Sequence, residues 1–318
     1  MAVVTGPAAF LLSLLTTAVI FSVLALGLNL QWGYTGLFNF SVAAFWAIGA
    51  YTAAIVTRAP GAETAFGLNL PYLWVDAFGV PVPFPAAVIV AAAVSAVVAV
   101  IISIPTLRLR ADYLAIATLG LAETIRLVIL NERWLTEGGQ GMAVQNPITG
   151  TALANVTLFA LAVLALVLVY AVLVRAIDSP WGRVLKGIRE DEDATNALGK
   201  NTFRFKMQSF VIGSVIITIG GTLTALQINY LVPQQFNPEW TFFVWIAVLL
   251  GGTGSNRGAI LGGFVLAFLL EVPRYLNDLI PYGNVASNSR LLIIGVLIIV
   301  IMTFRPQGLL GDEGVAGE

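Results

Sequence analysis

Cysteine and histidine are both absent from this chain of 318 residues. Without cysteine, the chain can form no disulfide bond, thiolate metal site or thiol nucleophile. Without histidine, it lacks the commonest general base and a frequent zinc ligand. A serine triad that depends on histidine is excluded as well, and all three lysines lie between residues 186 and 206. The composition therefore argues against an enzyme, and we expect no metal or other cofactor in this chain.

Charged residues are also scarce: they make up 10% of the chain, whereas a soluble domain has roughly 25%. Hydrophobic residues make up 58%, and the mean hydropathy is +0.90. A net charge of −1 offers no basic surface for nucleic acid. Apolar runs of about 20 residues recur, each long enough to cross a hydrocarbon core of about 30 Å, and they lack the alternation of barrel strands. We therefore predict an all-α polytopic protein embedded in a lipid bilayer.

The apolar runs predict eight to ten transmembrane helices in a single domain, 1–318. One pair of short runs, 240–250 and 259–272, is separated by a Gly-rich segment, and at 1.5 Å per residue neither half spans the core. This pair is either re-entrant or two broken helices that line a cavity. We place 58–85 and 131–153 outside, and the turn with Arg108 and Arg110 inside. The other runs lie at about 8–30, 37–57, 86–105, 113–130, 155–176, 207–229 and 290–304.

Glycine interrupts the apolar pattern in two places, around 27–49 and around 249–263. Interrupted helices in corresponding halves of a transporter mark a solute pathway near the bilayer midplane. Small residues also simply allow helices to pack closely, and this interpretation stays open. The candidate pathway residues are Asn29, Asn39, Gly251, Gly252 and Gly254.

Few ionisable residues fall within the apolar runs. Glu123 and Arg126 stand three positions apart on one helical face, and Glu271 and Arg274 repeat that spacing near the end of a run. Intramembrane charges are functional candidates by default, although each of these pairs can also neutralise itself. The scarcity favours energy supplied from outside the membrane, and a solute that is mostly apolar or a neutral zwitterion.

One segment breaks the apolar character of the chain, and we call residues 175–206 the charged loop. It holds 12 of the 33 charged residues and seven of the 16 basic residues. Long apolar runs flank it on both sides. Because basic residues are retained on the cytoplasmic side of membrane proteins, we place this loop in the cytoplasm.

The charged loop is expected to fold. Asp178, Ser179 and Pro180 form a helix-start signal. The next residues place Trp181, Val184, Leu185 and Ile188 on one apolar stripe, and Arg183, Lys186 and Arg189 on the opposite face. A second short helix is predicted from about Asp191 to Leu198, stopping at Gly199.

Two interpretations of these helices remain open. They can lie under the bilayer as an interfacial amphipathic element. Alternatively, they form a docking element for a cytoplasmic partner, for which reversing the charges at 190–193 is predicted to abolish uptake but not insertion. No phosphate-binding loop is present, so if ATP drives this protein another chain hydrolyses it.

Nine short stretches, spread in order along nearly the whole chain, are similar to one known family. The chain resembles the membrane subunits of branched-chain amino acid ABC importers, the Liv-type permeases, and is most similar to the LivM side of that pair. Each stretch alone is weak, but together they are specific. They are GLNLQWGYTGL (27–37), AAFWAIGAY (43–51), LRLRADYLAIATLG (107–120), TEGGQG (136–141), GR (182–183), IREDE (188–192), ALG (197–199), LLGGTGS (249–255) and FRPQGL (304–309).

The resemblance implies a fold like that of type II ABC importer permeases and a place in the cytoplasmic membrane. Permeases of ABC importers carry a cytoplasmic Glu-Ala-Ala-x3-Gly element that enters a groove of the ATPase. Here Asp193-Ala194-Thr195 followed by Gly199 keeps that spacing, with Asp for Glu and Thr for the second Ala, so 177–206 is the expected coupling loop. Its expected contact residues are Trp181, Arg183, Ile188, Arg189, Glu190, Asp191, Glu192, Asp193, Ala194 and Gly199.

The resemblance also implies the partners: two ATPase subunits that bind ATP, a second permease subunit of the LivH type and an extracytoplasmic solute-binding protein. The expected function is translocation of branched-chain or other hydrophobic amino acids. Urea or short amides, carried by close relatives of the family, are an alternative solute class. A stand-alone secondary transporter is a further alternative, which uptake into liposomes without any ATPase would favour.

Overall fold

The computed structural model describes residues 7–57, 76–77, 80–81, 83–144 and 154–279, together with 292, 294–297, 299–300, 303–305 and 307–310. Eleven α-helices make up most of the described residues. Two antiparallel pairs of two-residue strands, β1 (Asp76–Ala77) with β2 (Val80–Pro81) and β3 (Met142–Ala143) with β4 (Tyr230–Leu231), complete the fold. The helices are α1 (Pro7–Leu28), α2 (Val42–Val56), α3 (Pro83–Thr106), α4 (Ala111–Asn131), α5 (Arg133–Thr136), α6 (Ala154–Asp178), α7 (Pro180–Glu190), α8 (Glu192–Ala197), α9 (Thr202–Ile228), α10 (Glu239–Gly251) and α11 (Asn256–Leu279).

Among the described residues, five helical segments are long and apolar enough to cross a membrane. They belong to α1, α3, α4, α6 and α9, and α2 and α10 are shorter apolar helices. This architecture confirms the predicted all-α polytopic membrane protein. The count of eight to ten crossings stays a prediction. Most of the predicted outer segment 58–85, and part of the last predicted span, 290–304, lie outside the described residues.

The centre of the bundle is formed by α1 and α9. Helix α1 is apolar on every face, as expected for a helix that is surrounded by others. It packs against α6, α9, α10 and α11, while α9 also packs against α2 and α3. In the most apolar stretch of α9, 78% of the residues are buried, against 22% in α4 and in α6. Helices α4 and α6 are therefore peripheral, and much of their apolar surface faces outward.

Glycine brings the backbones of α2 and α9 together. A Cβ at Gly49 would lie 2.1 Å from the carbonyl oxygen of Thr218, and a Cβ at Gly221 would lie 2.2 Å from that of Trp46. No side chain fits at either position. The contact is reinforced by the Trp46 indole N–H, which donates to the Thr224 hydroxyl at 2.8 Å. Close glycine-mediated packing of this kind is a common way to associate helices in membranes.

The bundle has two distinct ends. The end that carries the charged loop, here called the loop end, also holds the turn between α3 and α4, where the Arg108 guanidinium lies 5.9 Å from the Phe203 ring centre. The far end holds the β3–β4 pair and a 3-10 turn, Pro233–Phe236. The segments 107–110 and 131–144 thus lie at opposite ends, as predicted from the charge distribution.

The structure corrects two predicted boundaries. The second apolar run was expected to continue from Leu37, but α2 begins only at Val42, because residues 35–41 form an irregular segment. Neither half of the 240–272 region was expected to span the membrane. Helix α11 nevertheless has 24 residues, since it starts at the polar Asn256 and continues past residue 272, and at 1.5 Å per residue it is long enough to cross.

Candidate functional site

The charged loop folds into two short helices through local signals. Ser179 precedes Pro180 at the first position of α7, and Leu185 and Ile188 are buried on its inner face. The Asp191 side chain caps α8 by accepting a hydrogen bond from the Ala194 amide at 2.9 Å. The predicted start at Pro180 and the predicted second helix are thereby confirmed to within one or two residues.

The outer face of this helix pair forms an exposed ridge. Asp193, Ala194 and Gly199 are exposed, as are Arg183 and Glu190. Leu198, which sequence reasoning did not single out, is 80% exposed and stands at the end of α8. We call the exposed residues Arg183, Glu190, Asp193, Ala194, Leu198 and Gly199 the ridge.

Arg189 points inward, whereas the sequence had placed it on the outer polar face of α7. Its guanidinium donates a hydrogen bond to the backbone carbonyl of Gly33, and its side chain also contacts Gly36. A Cβ on Gly254 would lie 3.0 Å from the same guanidinium. Arg189 is therefore bonded to the first Gly-interrupted segment of the bundle and lies beside the second. No sequence signal could have indicated this contact, since Arg189 and Gly33 are 156 positions apart.

Glu192 and Trp181 anchor the loop to the first turns of α9. The Glu192 carboxylate pairs with the Lys206 ammonium and accepts a hydrogen bond from the Thr202 hydroxyl at 3.1 Å. The Trp181 indole N–H donates to the Gln208 side chain at 2.8 Å. The predicted loop residues thus separate into a ridge and an inner face that includes Trp181, Ile188, Arg189 and Glu192.

Asn29 holds the two interrupted segments against each other. It lies in a wide helical turn, Asn29–Tyr34, that extends α1. The buried Asn29 amide accepts a hydrogen bond from the Gly254 N–H at 2.9 Å and donates to the Asn256 side chain at 3.3 Å. These bonds satisfy irregular backbone that lipid could not solvate. The two predicted glycine-rich regions are therefore in direct contact.

Asn39 organises the irregular segment before α2. Its side chain donates to the Gln31 side-chain carbonyl at 2.7 Å and accepts from the Ser41 amide at 2.8 Å. Gln31 in turn donates to the Phe210 carbonyl at 2.8 Å, and the Trp245 indole donates to the Asn39 carbonyl at 3.0 Å. Asn29 and Asn39 are both fully buried, with their amides bonded within the chain. Their contact with a solute stays a prediction.

Gly251, Gly252 and Gly254 form the tight connection between α10 and α11. Gly252 and Gly254 have positive φ angles of 113° and 77°, which glycine adopts without strain. The C-terminal segment packs on this turn, where the Leu309 amide donates to the Leu250 carbonyl and the Leu310 amide to the Gly251 carbonyl, both at 2.9 Å. The stretches 249–255 and 304–309, singled out separately in the sequence, thus form one structural unit at the loop end.

A cavity of about 150 Å³ separates the charged loop from the turn between α3 and α4. Its walls include Leu37 and Arg110 on one side and Ile188, Arg189 and Lys206 on the other. The loop is therefore held to the bundle by the buried Leu185 and Ile188 and by polar contacts, with open space on the side of the α3–α4 turn. In the described part of the chain, no cluster of three or more metal-ligating side chains occurs.

Comparison with known proteins places the chain in a family. A family model described as branched-chain amino acid transport system / permease component matches residues 10–302. The LivM permease protein of the high-affinity branched-chain amino acid transport system of Salmonella typhimurium is 31% identical over 93% of this chain and 68% of its own length. The probable LivM permease of Methanocaldococcus jannaschii is 28% identical over 93% of this chain and 92% of its own.

LivH permeases match more distantly. The LivH protein of Salmonella typhimurium is 25% identical over 93% of this chain and 92% of its own length. No solved structure gives a significant match. The chain belongs to the family of branched-chain amino acid transport system permease components, and it is a LivM-like, multi-pass permease subunit of an ABC importer in the cytoplasmic membrane rather than an enzyme.

Proposed function

We propose that this chain moves branched-chain amino acids across the cytoplasmic membrane, driven by ATP hydrolysis that reaches it through the charged loop. The observation that carries the proposal is the bond from Arg189 to the Gly33 carbonyl, because it links the exposed loop directly to the interrupted helices. The relatives named above belong to branched-chain amino acid transport systems, which supports this solute class.

The proposed assembly contains a second permease subunit of the LivH type, two ATPase subunits and an extracytoplasmic solute-binding protein. The match to both LivM and LivH proteins supports pairing with a related permease. The absence of a phosphate-binding loop in the sequence supports a separate ATPase. The ridge faces the cytoplasm in this assembly and docks on the ATPase, and the far end faces the binding protein.

The charged loop acts as a lever in this proposal. The ATPase contacts the ridge, while Arg189 and Glu192 on the inner face hold Gly33 and the start of α9. The cavity beside Arg189 leaves open space on one side of the loop, into which α7 and α8 can shift. A displacement of α7 and α8 then moves the joint formed by Asn29, Gly33 and Gly254, and with it α1 and the α10–α11 hairpin.

ATP-dependent uptake in a defined system tests this function. The purified importer, reconstituted in liposomes with its partner subunits and binding protein, is expected to accumulate radiolabelled leucine only when ATP is supplied on the ridge side. Leucine accumulation by the chain without ATPases would favour a secondary transporter. Calorimetry on the binding protein separates the solutes, because tight binding of urea without binding of leucine would contradict the proposed solute.

Reversing two ridge charges should uncouple the importer. Glu190 and Asp193 are both exposed. The double variant E190K/D193K is therefore expected to fold, because it removes no contact inside the protein. A reversed charge at a docking surface costs several kcal/mol, so we expect leucine uptake to fall by about tenfold or more at an unchanged amount of protein in the membrane. Asp112→Lys is the matched control, since Asp112 is also exposed in the first turn of a helix at the loop end. Normal uptake by E190K/D193K would contradict docking at the ridge.

Leu198 offers an apolar anchor at the end of the ridge. A leucine that is 80% exposed gains about 1.5–3 kcal/mol when a partner buries it. We therefore expect Leu198→Asp to weaken association of the ATPase by about tenfold or more, measured by co-purification at increasing dilution. Leu198→Met, which keeps the apolar volume, should bind nearly as the wild type does. If the wild type, Leu198→Asp and Leu198→Met bound the ATPase equally well, Leu198 would remain exposed to solvent in the complex, and it would not be an anchor.

A further inference from the structure

Glu123 and Arg126 form an ion pair in the far half of the candidate span α4. The Arg126 Nε donates to Glu123 Oε2 at 2.8 Å, and a second guanidinium nitrogen donates to Oε1. At 1.5 Å per residue, Glu123 lies about 18 Å from the loop end of α4 and about 12 Å from its far end, and Arg126 lies about 22 Å and about 8 Å from them, inside a core of about 30 Å. In the five candidate spans, every other charged residue lies close to a span's end.

The pair is accessible from outside the chain. The side chains of Arg126 and Glu123 are 20% and 41% exposed. Helix α4 turns a different stripe toward the bundle, and that stripe carries its buried residues Leu114, Thr118, Ala122 and Ile129. Charged side chains at this depth almost always face protein or a water-filled cavity, since lipid cannot solvate them. The surface beside the pair is therefore not expected to face bare lipid, and the described part of the chain does not cover it.

The chemistry of the pair matches a free amino acid. An α-amino acid carries one carboxylate and one ammonium group on the same carbon. A guanidinium binds a carboxylate through two parallel hydrogen bonds, and a carboxylate accepts from an ammonium. A passing zwitterion can exchange ionic partners with the pair, so that no charge is left unpaired at any stage. Leu119 and Leu130, one helical turn away on the same flank and partly exposed, offer apolar surface to the solute's side chain.

We propose that the flank of α4 bearing Glu123 and Arg126 lines the aqueous pathway, and that Arg126 binds the carboxylate and Glu123 the ammonium group of the transported amino acid. The inference rests on the proposed function and names a solute-binding site for it. Between transport events the two side chains neutralise each other. The site selects zwitterions over molecules that lack either charged group.

Variants that remove the charge of Glu123, of Arg126 or of both test whether these side chains bind the solute or only neutralise each other. Initial rates of radiolabelled leucine uptake are measured for the complete transport system in cells, at matched amounts of protein in the membrane. Each of E123Q, R126Q and E123Q/R126Q is expected to lower the rate by about tenfold or more, because charge-assisted hydrogen bonds to the solute are lost. If the charges serve only each other, the double variant should recover wild-type uptake, and that result would overturn the inference. If the wild-type system takes up no leucine, the proposed solute is wrong. The proposed amino acid site at Glu123 and Arg126 is then wrong as well.

The absence of cysteine allows a second test in the same assembled system. A single cysteine at Leu119 should react with a charged, water-soluble maleimide, and leucine should slow the reaction. Val97→Cys is the control, because Val97 is 59% exposed in the middle of α3, where we expect lipid and no reaction. An unreactive Leu119→Cys, in a system that still takes up leucine, would place this flank against lipid or protein and overturn the inference.

Discussion

Replacing Arg189 by alanine is expected to reduce leucine uptake to background while leaving the protein folded in the membrane. The substitution removes the donor to the Gly33 carbonyl and the contact beside Gly254. A hydrogen bond to a charged group contributes about 1.5–3 kcal/mol, which is small beside a total stability of about 5–15 kcal/mol. The fold therefore survives, but the loop and the interrupted helices lose their direct link. The measurement pairs uptake with ATP hydrolysis, which should continue without responding to solute.

The matched control for Arg189→Ala is Arg204→Ala. Arg204 lies in the same charged loop at the start of α9 and is exposed, so its removal changes the net charge equally but breaks no contact to Gly33. Arg189→Lys keeps the charge and one donor and should retain part of the uptake. If Arg189→Ala and Arg204→Ala transported leucine equally well, the proposed lever would have no role for Arg189.

Local signals predicted the charged loop well. The start of α7 follows from Pro180 at its first position, and the start of α8 follows from the Asp191 cap, because both signals act within one helical turn. The buried stripe that includes Leu185 and Ile188 follows from helical periodicity alone. The fold class was predictable for a similar reason, since span length and hydropathy depend only on consecutive residues.

The contacts that define the candidate site could not be predicted in this way. Asn29 bonds to Asn256, which is 227 positions away in the sequence. Nothing in the sequence distinguishes these two buried asparagines from asparagines at a protein surface. Arg189 was assigned to the outer face because periodicity cannot distinguish solvent from a neighbouring polar turn. The late start of α2 has the same origin. Asn39 lies in an irregular segment within an apolar run, and it bonds to Gln31 in the preceding helical turn. Polar residues that are satisfied inside a membrane protein are therefore visible only in the packed structure.

Replacing Gly221 by valine is expected to disrupt the bundle itself. A Cβ at this position would lie 2.2 Å from the Trp46 carbonyl oxygen and 3.0 Å from the Ala50 amide, both backbone atoms that no rotamer change can move. Helices α2 and α9 must separate, which weakens the bond from Trp46 to Thr224 as well. Overpacking costs typically 1–3 kcal/mol, so we expect the melting temperature in detergent to fall by roughly 5–10 °C, with less protein in the membrane.

Gly120→Val tests whether the clash, rather than the loss of glycine from a helix, causes this effect. Gly120 also lies within a candidate span, but a Cβ placed there would have open space around it: apart from its own stretch of helix, nothing in the described part of the chain lies within 4 Å. The purified Gly120→Val chain should therefore melt close to the wild-type temperature. If Gly221→Val melted there too, α2 and α9 would not meet at this glycine.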